Sequence, residues 1–184
     1  MNKETVALLI IDMQKGMSSP AVGERNNPDA ESNIKYLQTA WRKSGFPIIH
    51  IRHISRTPGS PFWPGQPGAE FQEALAPLAG EHVVEKNVPD AFVHSGLERW
   101  LHVRGIRQVV IVGVSTNNSV EATARTAGNL GLKVYVVADG TFTFPKTDYS
   151  GVLRSASEVH AMSLANLDGE YASILRTEQA LDLF

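Results

Sequence analysis

QVVIVGVSTNNSVEATARTAGNLG, residues 108–131, decides how the chain is read. After Gln108 comes an unbroken apolar run ending at Val114, the pattern of a strand buried on both faces. A polar turn follows at once, and 117–130 has the composition and spacing of a helix. A strand that opens directly onto a helix often presents a nucleophile at the turn. The candidate here is Ser119.

The same alternation extends outward in both directions. VALLII (residues 6–11) is another run suited to a doubly buried strand. Residues 27–44 form a helix, with Ile34, Leu37, Ala40 and Trp41 at helical spacing and Gly45 as its stop. FPIIHIRHI (46–54) is a second strand, and SRTPGSPFWPGQPG (55–68) is a Pro- and Gly-rich loop. HVVEK (82–86) is a short strand, HSGLERWLHVRG (94–105) a helix, and LKVYVVAD (132–139) a strand. The loop GTFTFPKTD (140–148) leads to a helix over 151–166, and YASILRT (171–177) supplies the last strand. Strands alternating with helices predict an α/β fold: right-handed crossovers and a parallel sheet covered on both faces, in one domain over 1–184.

Composition excludes several functions. With 42% hydrophobic and 20% charged residues among 184, the chain is an ordinary globule. A net charge of −2, with basic residues scattered, argues against nucleic-acid or membrane-surface partners. Zero cysteines excludes disulfides, thiolate metal sites and a thiol nucleophile. The apolar stretch in MNKETVALLIIDM is too short to span a bilayer and lacks a cleavage signature, so the expected location is cytoplasmic.

Parallel sheets place their sites beyond the carboxyl ends of the strands. That rule collects Asp12 and Gln14, Arg52 and His53, Lys86, Ser115 to Ser119, and Asp139 with Thr141 on one edge. Asp12 directly after ALLII is either an exposed strand-end carboxylate or a paired, functional one. Lys86 is a surface lysine unless it faces Asp12, where an ammonium would keep the carboxylate ionised and could hold a developing oxyanion. Ser119 is either a helix cap, a task open equally to Thr116 and Asn117, or a nucleophile in the first helical turn. A hydroxyl there needs an adjacent base. His50 and His53, three apart on a strand, point to opposite faces and suit packing better than a shared metal. No zinc-protease, Walker or dinucleotide motif is present. Phe62, Trp63, Phe92, Phe142 and Phe144 either line a pocket for a small planar substrate or pack the loops. Arg52 either holds a substrate carboxylate or pairs at the surface, and Gln14 is a candidate to orient a substrate polar group.

Taken together, ALLIIDMQKGM, SPFWPGQPGAEF, VVEKNVPDAF, VIVGVSTNNSVEATARTAGNLG and VYVVADGTFTF are specific. Over nearly its whole length the chain resembles the isochorismatase-like hydrolases, the cysteine hydrolase superfamily. The resemblance implies a three-layer α/β/α fold with six mainly parallel strands in the order 3-2-1-4-5-6. It implies an Asp–Lys–Cys triad, with Asp12 as proton acceptor and donor, Lys86 as the lysine, and Ser119 where the cysteine normally stands. It also implies a cis peptide at Val114–Ser115 and an oxyanion hole from backbone groups of Ser115 and Ser119. His53, Trp63, Phe92 and Asn118 join Gln14 and Arg52 as substrate-binding candidates. HIRHISRTPGS lacks the D-x-H pattern of the nicotinamidase metal site, so no metal and no cofactor are expected. The family often forms homodimers or homotetramers, and the apolar helix near 152–167 is a candidate contributor.

The serine leaves three accounts open. Ser119 is a natural nucleophile for an amide-type C–N bond; it replaces a catalytic cysteine; or no nucleophile is needed, as in family members that cleave a vinyl ether through the aspartic acid alone. A non-catalytic binding protein for a small molecule is the further alternative. The coherence of the segment around Ser119 favours a natural serine.

Overall fold

The computed structural model describes residues 5–18 and 23–183. The first four residues, over which the start of the chain was read for a leader, lie outside them. β1 (Val6–Ile11) is buried at every position, the requirement for a run of six apolar residues in a central parallel strand. Its alternate side chains serve two cores: Ala7, Leu9 and Ile11 face one, and Val6, Leu8 and Ile10 the other.

α1 (Ala30–Ser44) buries Ala30, Ile34, Leu37, Gln38 and Trp41 as one stripe and stops at Gly45 with φ of 69°. Trp41 keeps its indole N–H satisfied in the core by donating to the Val6 carbonyl at 3.0 Å. The helix starts three residues later than the spacing predicts. Asn27 precedes Pro28, a place that disfavours right-handed helix, and has φ of 46°.

β2 (Ile48–His53), β3 (His82–Lys86), α2 (Leu97–Val103), β4 (Gln108–Val114), α3 (Glu121–Asn129) and β5 (Lys133–Phe142) follow. The expected helix at 151–166 is shorter. Residues 146–147 and 153–154 pair as a small antiparallel ribbon, β6 and β7. α4 (Ala156–Leu167) then opens on a capping box in which Ser155 accepts from Glu158 N–H. β8 (Ser173–Leu175) and α5 (Thr177–Leu181), a helix too short to stand out by periodicity, end the described chain.

The six-stranded sheet has the order β3-β2-β1-β4-β5-β8, every neighbouring pair parallel. This is the predicted 3-2-1-4-5-6 order, the sixth strand being β8 because the ribbon intervenes. α2, α3 and α4 cover one face through Leu97, Leu101, Ala124, Ala127 and Leu167. α1 and α5 cover the other. β5 does not end at Asp139. Its pairing with β4 jumps from Ile111↔Val136 to Gly113↔Thr141, so the expected loop at 140–142 is bulged strand. The freed carbonyls are taken up by side chains: Asn27 donates to Ala138 and Thr141, and Asn33 to Asp139. Phe142 is fully buried, so it is a core residue and does not line a pocket.

Candidate active site

Asp12 leaves β1 with φ of 53°, a left-handed conformation that aspartate tolerates better than most side chains. Next to it β4 approaches β1 very closely. Gly113 pairs with Ile11 at φ of 119°, and a Cβ there would lie 2.1 Å from the Ile11 carbonyl oxygen. Only glycine permits that approach. Lys86 closes β3 in register with His53, two residues beyond Val84 and Ile51, and so shares their face of the sheet.

These strand ends bring three groups together. Lys86 Nζ donates to Asp12 Oδ2 at 2.7 Å and to Ser119 Oγ at 3.3 Å. All three residues are buried, with exposures of 1% for Asp12, 3% for Lys86 and 6% for Ser119. Burial pushes the Asp12 carboxyl above its ordinary value. The Lys86 ammonium, the Ser119 hydroxyl and His53 pull the other way without cancelling it. Asp12 Oδ1 is buried and has no hydrogen-bond partner among the described residues. A carboxylate oxygen in that position is a ready acceptor for a proton.

The segment from β4 to α3 departs from a simple helix start. The Val114–Ser115 peptide is cis, and Thr116–Val120 form a π-turn before α3 begins. The carbonyl of half-buried Ser115 accepts from the N–H groups of Asn118 and Val120. Ser119 is not a cap, and neither are its rivals. The Thr116 hydroxyl bonds to His160, and Asn117 accepts from Thr143.

The remaining candidates divide. His53 lies near the centre, half-buried and edge-on to Phe62 at 6.2 Å; burial, then the Lys86 charge, lowers its pKa. Gln14 does not reach outward to orient a substrate. It is fully buried, with its amide donating to the carbonyls of His53 and Ala69 and accepting from His53 N–H, which staples the end of β2 to the following loop. Arg52 is paired with Glu85, its register partner on β3, on the sheet face opposite His53. Of its two readings, the structure shows the pairing at the surface. Trp63 is half-buried within a turn of the Pro-rich loop. Phe92 packs against the core cluster under α2 and α3. Asn118 is exposed on the outside of the π-turn. His50 is fully buried on the other side of β2, bonded to Glu81 at 2.9 Å. Among the described residues no three His, Cys, Asp or Glu side chains come together as a metal site. No helix among them is long and apolar enough to cross a membrane.

His160 and Ser163, which hold the π-turn, escaped the sequence reading. They sit in EVHAMSLANL, where an apolar helix conceals them, and the only available signal was two polar residues three apart on one helical face.

Comparison with known proteins places the chain in a family. The family model described as the Isochorismatase domain matches residues 6–179. The isochorismatase family protein YrdC of Bacillus subtilis is 37% identical over 182 residues, covering 99% of this chain and 97% of its own. Nicotinamidase 3 of Arabidopsis thaliana is 30% identical over 187 residues, covering 95% and 86%. The crystal structure of an isochorismatase-family protein from Chromobacterium violaceum superposes with a TM-score of 0.95 at 49% identity, covering 99% and 94%.

Proposed function

The chain belongs to the isochorismatase family of hydrolases, and we propose that it cleaves an amide-type C–N bond of a small metabolite with Ser119 as nucleophile. One observation carries this reading: a single buried ammonium, Lys86 Nζ, holds the Asp12 carboxylate at 2.7 Å and the Ser119 hydroxyl at 3.3 Å. A relative named a nicotinamidase supports an amide as the substrate class.

Asp12 takes the Ser119 proton as Oγ bonds to the substrate carbonyl carbon, and the carbonyl electron pair moves onto oxygen. The remaining N–H of Lys86 and the backbone N–H groups of the 115–119 turn counter that charge. The C–N bond breaks, and the amine leaves with the proton from Asp12. Water then gives a proton to Asp12 and attacks the acyl carbon. Ser119 departs, recovers its proton, and an acid is released.

A second reading has its own support. The raised Asp12 carboxyl, with Oδ1 unpartnered, suits an acid that protonates a vinyl ether before water attacks the resulting cation.

Turnover of a panel of primary amides, ureides and isochorismate by the protein, Ser119→Ala and Asp12→Asn separates the readings. The amide reading expects Ser119→Ala to lose at least ~10³-fold in kcat on an amide and Asp12→Asn about 10²–10⁴-fold. Isochorismate cleavage that Ser119→Ala leaves intact and Asp12→Asn abolishes establishes the vinyl-ether reading instead. Saturable binding with no product from any compound sinks both.

A further inference from the structure

We propose that His160 and Ser163 of α4 are positioning residues that set the π-turn and thereby the reactivity of residue 119. The proposal rests on the reading that position 119 is where the chemistry occurs.

A π-turn is rare and its ring is wider than that of an α-helix, so it needs outside support. Here the Val120 N–H reaches back to the Ser115 carbonyl at 3.2 Å, and the Glu121 N–H to that of Thr116. The Ser115 side chain caps nothing. The support comes from α4. The Thr116 hydroxyl lies 2.8 Å from His160 Nδ1, and both residues are buried. A hydroxyl can both donate and accept, so this bond forms with either tautomer of the ring. Ser163 Oγ, one helical turn further on, is 2.9 Å from the Thr116 carbonyl and 2.6 Å from Glu121 Oε2. Its single O–H hydrogen goes to one of these two acceptors at a time, so it ties the turn at its first residue or at the residue after its last. Ser119 lies between the two grips.

A satisfied buried histidine could serve packing alone. A neutral imidazole and a hydroxyl are expensive ways to fill an apolar face, however, since each must be fully bonded to avoid a desolvation loss. Both are bonded to the same turn. A misplacement of about 1 Å at a reacting group lowers rates by about 10²-fold, the scale on which such grips act.

The absence of cysteine allows a test without a substrate. Ser119→Cys introduces a single thiol, and its alkylation by iodoacetamide as a function of pH reports its ionisation beside Lys86. In that background His160→Phe and Thr116→Val are each expected to slow alkylation at neutral pH by about 10-fold. Each should raise the pH of half-maximal rate toward the ordinary thiol value of about 8.5. The two together should do no more than either alone, because they break one bond. His160→Asn, whose amide can accept from or donate to the Thr116 hydroxyl near the Nδ1 position, should recover most of the rate. Met162→Gln, on the exposed side of α4, should change nothing. Folded His160→Phe and Thr116→Val proteins with unaltered pH–rate profiles overturn the proposal. If His160→Phe does not fold, Thr116→Val, a hydroxyl-to-methyl change, decides alone. Because no amide is turned over, failure of the substrate panel leaves this result standing, and the reverse holds too.

Discussion

A carboxylate and an ammonium held 2.7 Å apart under near-complete burial are a costly pair to keep. The desolvation of both ions offsets most of their attraction. Lys86→Met should therefore destabilise by about 3–5 kcal/mol, leaving the buried carboxylate without its partner, whereas Asp12→Asn, which resembles the acid form that burial favours, should cost less. The double variant Asp12→Asn/Lys86→Met should recover most of that loss and remain inactive; urea unfolding of the three variants measures it. A double variant no more stable than the singles would mean the pair is held for stability. Asp12 also fixes a pH signature. Its folded carboxyl lies above the ordinary 3.8, so its contribution to stability is full below that value and is lost as pH rises through the raised one. For amide cleavage Asp12 must be ionised, so kcat/KM should climb with pH through the raised value. Vinyl-ether cleavage needs the acid form and should show the opposite slope. Asp12, Lys86 and Ser119 were legible as candidates in the sequence because Asp12 and Ser119 follow apolar strands and Lys86 ends β3, on the edge where parallel sheets place their sites. The fates of Arg52 and Gln14 were not, because their partners, Glu85 and the His53 and Ala69 backbones, depend on register and loop closure.

At the scale of elements, two joints hold the site. One is the close contact of β4 with β1 at Gly113. Gly113→Ala places a methyl against the Ile11 carbonyl at positive φ. It should cost about 2 kcal/mol or more and displace Asp12, seen as a fall in unfolding midpoint together with loss of turnover. An unchanged midpoint would show that the strands can part freely there. The other joint is Glu81, before β3, which ties Arg42 of α1, the Leu78 N–H and His50 of β2. Burial raises its carboxyl, but Arg42, the Leu78 N–H and His50 more than reverse that and hold it at about 2. This stabilisation is present above the ordinary 4.5 and is lost as pH falls toward about 2. Glu81→Gln should flatten the decline of Tm across that window; an unaltered decline contradicts the assignment. The elements were read from periodicity and punctuation, which found every strand of the main sheet. Periodicity failed where tertiary bonds overrode it: at Asn27, diverted to the β5 bulge; at 146–154, where a ribbon replaced a helix start; and in the π-turn, whose support arrives from α4.

For the whole molecule, the sheet order gathers the ends of β1 and β3 and the turn after β4 at one edge, where Asp12, Lys86 and Ser119 are buried together. The exposed apolar residues lie elsewhere. Tyr149, Val152, Leu153 and Met162 are exposed along the ribbon and the outer side of α4. Homodimers or homotetramers built there should give a light-scattering mass that is a multiple of 20.1 kDa and reverts toward the monomer in Met162→Glu/Leu153→Glu; a monomeric parent protein ends that expectation. The central claim concerns Ser119 itself. Its most direct test is acid-quenching the protein during steady hydrolysis of an amide from the panel and weighing the peptide that contains residue 119. The account predicts that this peptide gains the mass of the substrate acyl group and that Ser119→Ala shows no such gain. Product accumulating at full rate through Ser119→Ala would contradict it.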